Sequence, residues 1–390
     1  MIERTIGAAL TRMMASFPVV TVTGPRQSGK TTLIRALFGN LPYVSLEDPD
    51  KRERATSDPR GFLASLGTGG AVIDEAQRVP ELFNYLQGIV DEHNRPGMFI
   101  LSGSQNFLLL EKITQSLAGR VGIARLFPLS IPELAAAGKL PVRWEDLAVS
   151  GGYPRIHATA VTAEEWYPNY IMTYLERDVR QLKAVNDLAK FQTFLKLCAG
   201  RTGQLLNLSS LAVDCGISHT SAAGWLSILE ASYLVFKLTP HHRNFNKRLV
   251  RSPKLYFYDT GLACSLLGIR SAEQLDNHFA RGALFETLIV SELQKRGWHN
   301  GYEPALYFWR DQTGREIDVL IERDGRTIPV EIKSGRTTSS DFFAGLSYYA
   351  DLSDVPRNEG AVVYGGDERY DAAHGRLLSW RSIDELDAAR

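Results

Sequence analysis

Near the start of the chain, Gly24, Pro25, Arg26, Gln27, Ser28, Gly29, Lys30 and Thr31 satisfy the pattern G-x-x-x-x-G-K-[ST]. A loop of this kind suits phosphate. Its glycines let the backbone wrap closely, so that successive N–H groups and the N-terminus of a following helix point at phosphate oxygens. Lys30 would place a charge on the β- and γ-phosphates, the Thr31 hydroxyl would ligate Mg²⁺, and Thr32 would extend the loop's contacts. A plain glycine-rich turn is the competing reading. The apolar run before the loop and the helical spacing after it weigh against that turn.

A phosphate loop needs an acid near its metal. Residues 71–75 (AVIDE) supply one, as an apolar strand ending in Asp74 and Glu75 at the edge where open α/β sheets bind ligands. Asp74 would sit in the Mg²⁺ shell, and Glu75 would orient or deprotonate an attacking water. In residues 99–105 (FILSGSQ), Ser104 or Gln105 either meets the γ-phosphate or simply forms a polar turn. Arg120 is a candidate arginine finger acting on a neighbouring subunit, with an ordinary surface arginine as the alternative. Arg26 and Arg125 are weaker candidates.

A second cluster lies near the other end. Asp324-Gly325 between two β-prone runs is a strong hairpin signal. If these two residues form the turn, Arg323 faces Arg326, and counting outward sets Asp318 opposite Glu331, with Cβ atoms about 5 Å apart. Alternation puts Lys333 on the same face and turns Val319, Val330 and Ile332 away. Two carboxylates that close call for a cation, and oxygen ligands suit Mg²⁺ or Mn²⁺. Lys333 could then activate a metal-bound water or stabilise charge on a phosphodiester. Pro329 within the second run warns of a bulge or an edge position. A solvent-facing hairpin with ordinary charges is the competing reading.

The elements that must position these groups can be read from periodicity. Residues 18–23 (PVVTVT) form a β-branched run, 31–38 resume with helical spacing, and further strands are expected at 43–46, 71–73 and 98–101. Strands alternating with helices predict a parallel α/β sheet. Beyond about residue 126, prolines and glycines mark a loop-rich join. Between residues 188 and 258 there are nine Lys or Arg (Lys190, Lys196, Arg201, Lys237, Arg243, Lys247, Arg248, Arg251, Lys254) against two acids, Asp214 and Glu230. That stretch also reads as a helix over 208–213, a turn at 215–217, a second helix from an N-cap at Ser218, a β-prone run over 233–238 and a basic loop over 241–253. The pattern predicts a winged helix whose wing touches DNA phosphates, with His219, Thr220 and Ser221 on the second helix. Protein docking or a solvated charged face would explain the same residues. A long helix over 283–295 precedes the final strands.

Taken in order, GPRQSGKTT, AVIDEAQRVPEL, FILSGSQ and SLAGR resemble the bacterial and archaeal ATPases of the AAA+ superfamily whose C-terminal part is catalogued as a domain of unknown function. The resemblance spans nearly the whole chain. It implies ATP hydrolysis by Lys30, Thr31, Asp74 and Glu75, with a homo-oligomer completing the site. The face of Asp318, Glu331 and Lys333 is similar to the PD-(D/E)xK nuclease superfamily, in which a further acid stands on a preceding helix. Glu286 matches that acid, so the resemblance implies a metal set of Glu286, Asp318 and Glu331. The chain departs from that superfamily in having Ile317, not proline, before Asp318.

The expected architecture is α/β: a P-loop, AAA+-like domain over 1–135, a helical linker or lid over 136–187, a winged helix over 188–262 and a nuclease-like α/β domain over 263–390. With 44 basic and 44 acidic residues the net charge is zero, so any DNA-binding face must be local. At 44% hydrophobic and 23% charged, the composition excludes disordered, collagen-like and coiled-coil classes. The three cysteines, Cys198, Cys215 and Cys264, form no metal or disulfide pattern, and no long apolar span occurs. These features predict a cytoplasmic protein without a membrane partner. The expected activity is a Mg²⁺-dependent ATPase coupled to DNA binding or remodelling, with phosphodiester cleavage left open. The alternative is an ATP-driven regulatory switch whose C-terminal fold docks partners without cutting.

Overall fold

The β-branched run before the phosphate loop is a strand with every residue buried, and it lies inside a parallel sheet. The computed structural model describes residues 2–103, 113, 115–174, 185, 187–241 and 250–386. Chain contacts divide these into two units: Met1–Leu129 with Ala231–Tyr233 and Gly297–Tyr302, and the remaining segments from Ser130 onward.

In the first unit, β1 (Val19–Thr23), β2 (Tyr43–Ser45), β3 (Ala71–Asp74), β4 (Phe99–Ser102) and β5 (Val121–Arg125) pair in the order β2-β3-β4-β1-β5, all parallel. Both faces are covered. Val19, Ala71, Ile73, Phe99 and Leu101 pack with Phe62, Phe83 and Leu86. Their neighbours Val20, Val22, Val72 and Ile100 pack with Leu10, Leu33 and Ile34. Double burial explains why these strands read as unbroken apolar runs. The edge strand β5 carries Gly122 and an exposed Ile123, so no such run marks it in the sequence.

In the second unit, helices Leu208–Cys215 and His219–Ala231 are joined by a short turn, and the Ser221 amide donates to Ser218 Oγ at 3.0 Å, as an N-cap requires. They are flanked by β6 (Gln204–Leu205) and by an antiparallel pair, β7 (Val235–Pro240) and β8 (Lys254–Phe257). After the helix Arg281–Asn300 come β9 (Ala305–Arg310), β10 (Glu316–Arg323), β11 (Arg326–Lys333), β12 (Ala361–Tyr364), β13 (Tyr370–Ala372) and β14 (Gly375–Ser379). All nine strands form one mixed sheet, β13-β14-β12-β11-β10-β9-β7-β8-β6. A parallel pairing of Thr239 with Tyr307 and Pro240 with Phe308 continues the sheet from β7 to β9.

The β10–β11 hairpin turns at Asp324 (φ 50°) and Gly325 (φ 76°), the two positive angles a two-residue type I′ turn demands. Arg323 faces Arg326 and Val319 faces Val330, which is the register expected from counting. Pro329 causes no slip. It sits opposite Leu320, and β12 begins pairing only at Val330, so its missing N–H breaks no ladder on that side. The irregularity lies instead between β10 and β9, around Ile317 to Leu320.

Replacing Gly325 with alanine should leave the turn in place but strain it. We expect a loss of about 1 kcal/mol, read as a lower urea midpoint at unchanged m-value.

Candidate functional site

The phosphate loop joins β1 to the helix Lys30–Leu37, whose N-cap Gly29 has φ 96° and ψ 18°. At Gly24 (φ 141°) a Cβ would stand 2.0 Å from the Leu126 carbonyl oxygen, so only glycine lets the loop leave the sheet here. The buried Lys30 ammonium donates to the carbonyls of Gly24 (3.0 Å) and Pro25 (2.9 Å). Ser28 is fully buried, and its Oγ has no partner among the described residues. From outside the motif, Arg4 braces the loop by donating to the carbonyls of Ser28 (2.9 Å) and Phe127 (2.6 Å). Nothing in the spacing of the motif signals Arg4.

Asp74 ends β3 beside Ser45 of β2 and Ser102 of β4. Four donors converge on its carboxylate. Thr31 Oγ1 (3.0 Å) and the Tyr43 hydroxyl (2.7 Å) donate to Oδ2, while the Ser102 hydroxyl and the Glu75 amide (3.1 Å) donate to Oδ1. Tyr43 is held well above the ordinary phenol range by burial and by Asp74 itself. Thr31 and Asp74 are thus adjacent hard oxygen donors, the kind Mg²⁺ takes, so these residues fit the metal. Glu75 follows in the left-handed region (φ 54°), and Gln77 Nε2 donates to its Oε2 at 2.6 Å. The structure brings Thr31 and Asp74, both singled out in the sequence, into contact, and adds Tyr43, Ser102 and Gln77, which the sequence did not single out.

Arg120 precedes β5, where its carbonyl accepts from the Val19 amide, at the opposite end of the strands from the phosphate loop. Its guanidinium pairs with Asp91. Arg125, at the loop end of β5, stacks over Trp298 with its Cζ 3.7 Å from the ring centroid. Ser104 and Gln105 lie outside the described residues, as do Arg243, Lys247 and Arg248 of the basic loop.

In the second unit three carboxylates come together, with one exchange from the expected set: Glu316 stands where Glu331 was expected. Oxygens of Glu286, Glu316 and Asp318 lie within 4.8 Å of one another. Glu331 stands apart from that triad and accepts from Lys333 Nζ at 2.5 Å. Asp318 Oδ2 accepts from the Ile332 amide at 2.7 Å, which ties the two hairpin strands at the site. Glu316 and Lys254 were not anticipated. Lys254, counted in the sequence among surface charges, is 3% exposed; its ammonium reaches Glu286 Oε1 at 2.8 Å and also contacts Glu316. Tyr256 donates to the same Glu286 oxygen at 2.5 Å, and Arg310 donates to Glu316 at 3.0 Å.

Burial, opposed by Lys254 and reinforced by Asp318, pushes Glu286 up to about 7. Burial and Asp318, opposed by Lys333, push Glu331 up to about 8. Asp318 is also raised by burial, against Lys333 and Lys254. Burial alone would favour the neutral amine at Lys254, but Glu286, Glu316 and Asp318 hold it charged, above the usual lysine range. Gly345 leaves room for Glu331, since a Cβ there would fall 2.1 Å from its Oε1.

The local basic excess is smaller than the count suggested. Arg201 pairs with Asp214, Lys237 meets Glu230 at 3.1 Å, and Lys254 is withdrawn into the carboxylates. Lys190, Lys196 and Arg251 remain exposed.

Comparison with known proteins places these sites in context. Residues 16–135 match the family described as an AAA domain. Residues 142–273 match Domain of unknown function (DUF8612), and residues 281–383 match Domain of unknown function (DUF4143). The uncharacterized protein Rv2008c of Mycobacterium tuberculosis is 34% identical over 398 residues, covering 99% of this chain and 87% of its own. The uncharacterized protein Mb2031c of Mycobacterium bovis gives the same values. Among solved structures, the Walker-type ATPase PABY2304 of Pyrococcus abyssi is similar at 16% identity and a TM-score of 0.46, over 68% of this chain and 96% of that one.

A carboxyl whose value is raised by folding binds its proton more tightly in the folded state, so rising pH erodes stability. For Glu286 and Glu331 that window runs from their ordinary 4.5 to about 7 and about 8. Thermal melting followed by circular dichroism should therefore show a midpoint that falls across this window. Glu331→Gln should flatten the upper part of the fall, and an unaltered slope would contradict the assignment.

Proposed function

Because the chain belongs to the family of the mycobacterial proteins Rv2008c and Mb2031c and contains an AAA-type P-loop ATPase domain, we propose that it hydrolyses ATP and couples the cycle to binding or remodelling DNA. The observation that carries the ATPase half is the contact of Thr31 with Asp74, set beside a lysine folded onto its own loop. Lys30 can exchange the carbonyls of Gly24 and Pro25 for the β- and γ-phosphate oxygens. Thr31 and Asp74 would hold Mg²⁺, which when bound neutralises charge on the phosphoryl oxygens. Glu75 orients the attacking water or takes its proton, and Gln77 fixes the direction of that carboxylate. Arg120 lies at the opposite end of the strands from its own loop, so its reading as an arginine finger requires a second copy of the chain, and a homo-oligomer is part of the proposal.

The DNA half draws on the two short helices and the β7–β8 pair, read as a winged helix, together with the exposed Lys190, Lys196 and Arg251. Three buried, free cysteines suit the reducing cytoplasm. The second unit is read as a nuclease-like fold. Of its two uses, cutting or docking, Lys254 among the carboxylates favours a fold that does not cut. The rival regulatory switch would share that feature but would not respond to DNA.

Phosphate release from the purified full-length chain tests both halves. Lys30→Ala should lower the rate about a hundredfold or more, and wild-type turnover should rise with single strands, duplexes or junctions. Wild-type turnover in the Lys30→Ala variant would remove the ATPase reading. A rate indifferent to every DNA form, with no mobility shift, would remove the DNA reading and leave the switch.

A further inference from the structure

Three carboxylates whose oxygens approach within 4.8 Å cannot all stay charged in a partly buried site without a cation among them. In this fold the cation is already part of the chain. Lys254 opens β8, where it pairs with Leu238 of β7 and Leu205 of β6, so its backbone is fixed on both sides by the sheet. Its ammonium bonds Glu286 at 2.8 Å and contacts Glu316, while the Phe308 ring lies 5.6 Å away. Tyr256, two residues on and on the same face, gives Glu286 a second donor at 2.5 Å. Lys333 donates to Glu331, and Arg310 takes the second oxygen of Glu316. Side chains therefore engage one oxygen of Glu286 and both of Glu316, and the Ile332 amide engages Asp318 Oδ2. Mg²⁺, which requires oxygens at about 2.0–2.1 Å, would have to displace the ammonium to reach them.

We propose that Lys254 is a built-in counter-cation standing in the divalent-metal position of the Glu286, Glu316 and Asp318 cluster. The native chain then takes no Mg²⁺ or Mn²⁺ there, and removing the lysine exposes a latent metal site. This deepens the non-cutting reading of the second unit, and it does not depend on the ATPase.

The test is Mn²⁺ binding to the nucleotide-free, DNA-free full chain, with free ion followed by electron paramagnetic resonance. Wild type and Asp318→Asn should give the same isotherm. Lys254→Met should gain a saturable site at least about tenfold tighter than any in wild type, and Lys254→Met combined with Asp318→Asn should lose it. A wild-type site that disappears with Asp318→Asn overturns the proposal, as does a folded Lys254→Met variant that gains nothing. If Lys254→Met does not fold, the wild-type and Asp318→Asn isotherms still decide the matter. Because no DNA is present, a failure here is separable from any result on cleavage.

Discussion

Asp74 is the point on which the first unit's architecture and its chemistry both depend. A carboxylate at the end of an inner parallel strand would ordinarily be an unfavourable place to put charge. Here it accepts from a hydroxyl on the phosphate-loop helix, a phenol on β2, a hydroxyl on β4 and the next amide in its own chain. One of these bonds, from Thr31, also ties the phosphate-loop helix to the sheet. Strand order matters because β4 lies between β1 and β3, and its last residue, Ser102, reaches the acid from that side.

The second unit solves a similar electrostatic problem by another route. Its carboxylates come from a helix and a hairpin far apart in sequence, and they outnumber what hydrogen bonds alone could stabilise. Lysines from β8 and β11 supply the balance. The sheet that runs from β6 to β13 is what brings Lys254 of β8 to Glu316 of β10.

Much of this was legible in the amino-acid sequence because it rests on local rules. The glycine-rich loop, the buried runs of β1, β3 and β4, the Ser218 cap and the Asp324-Gly325 turn each follow from neighbours in the chain. Counting outward from that turn was enough to foresee the register through Val319 and Val330. What stayed hidden depends on contacts between distant segments. Arg4, Tyr43 and Ser102 carry no motif, and Lys254 looked like one more surface charge because its partners lie on other strands and a helix. Glu316 is two residues from Asp318 and therefore on the same side of β10, a signal that alternation could have supplied. Edge strand β5 escaped notice because half of it faces solvent.

The hydrogen atom that serves as the side chain of Gly345 has an evolutionary corollary. Glu331 occupies the volume any larger residue would claim there. Lineages in which position 345 acquires a methyl group should therefore also have shortened or redirected residue 331, so the two positions ought to drift as a pair and leave a covariation signal that neither would show alone.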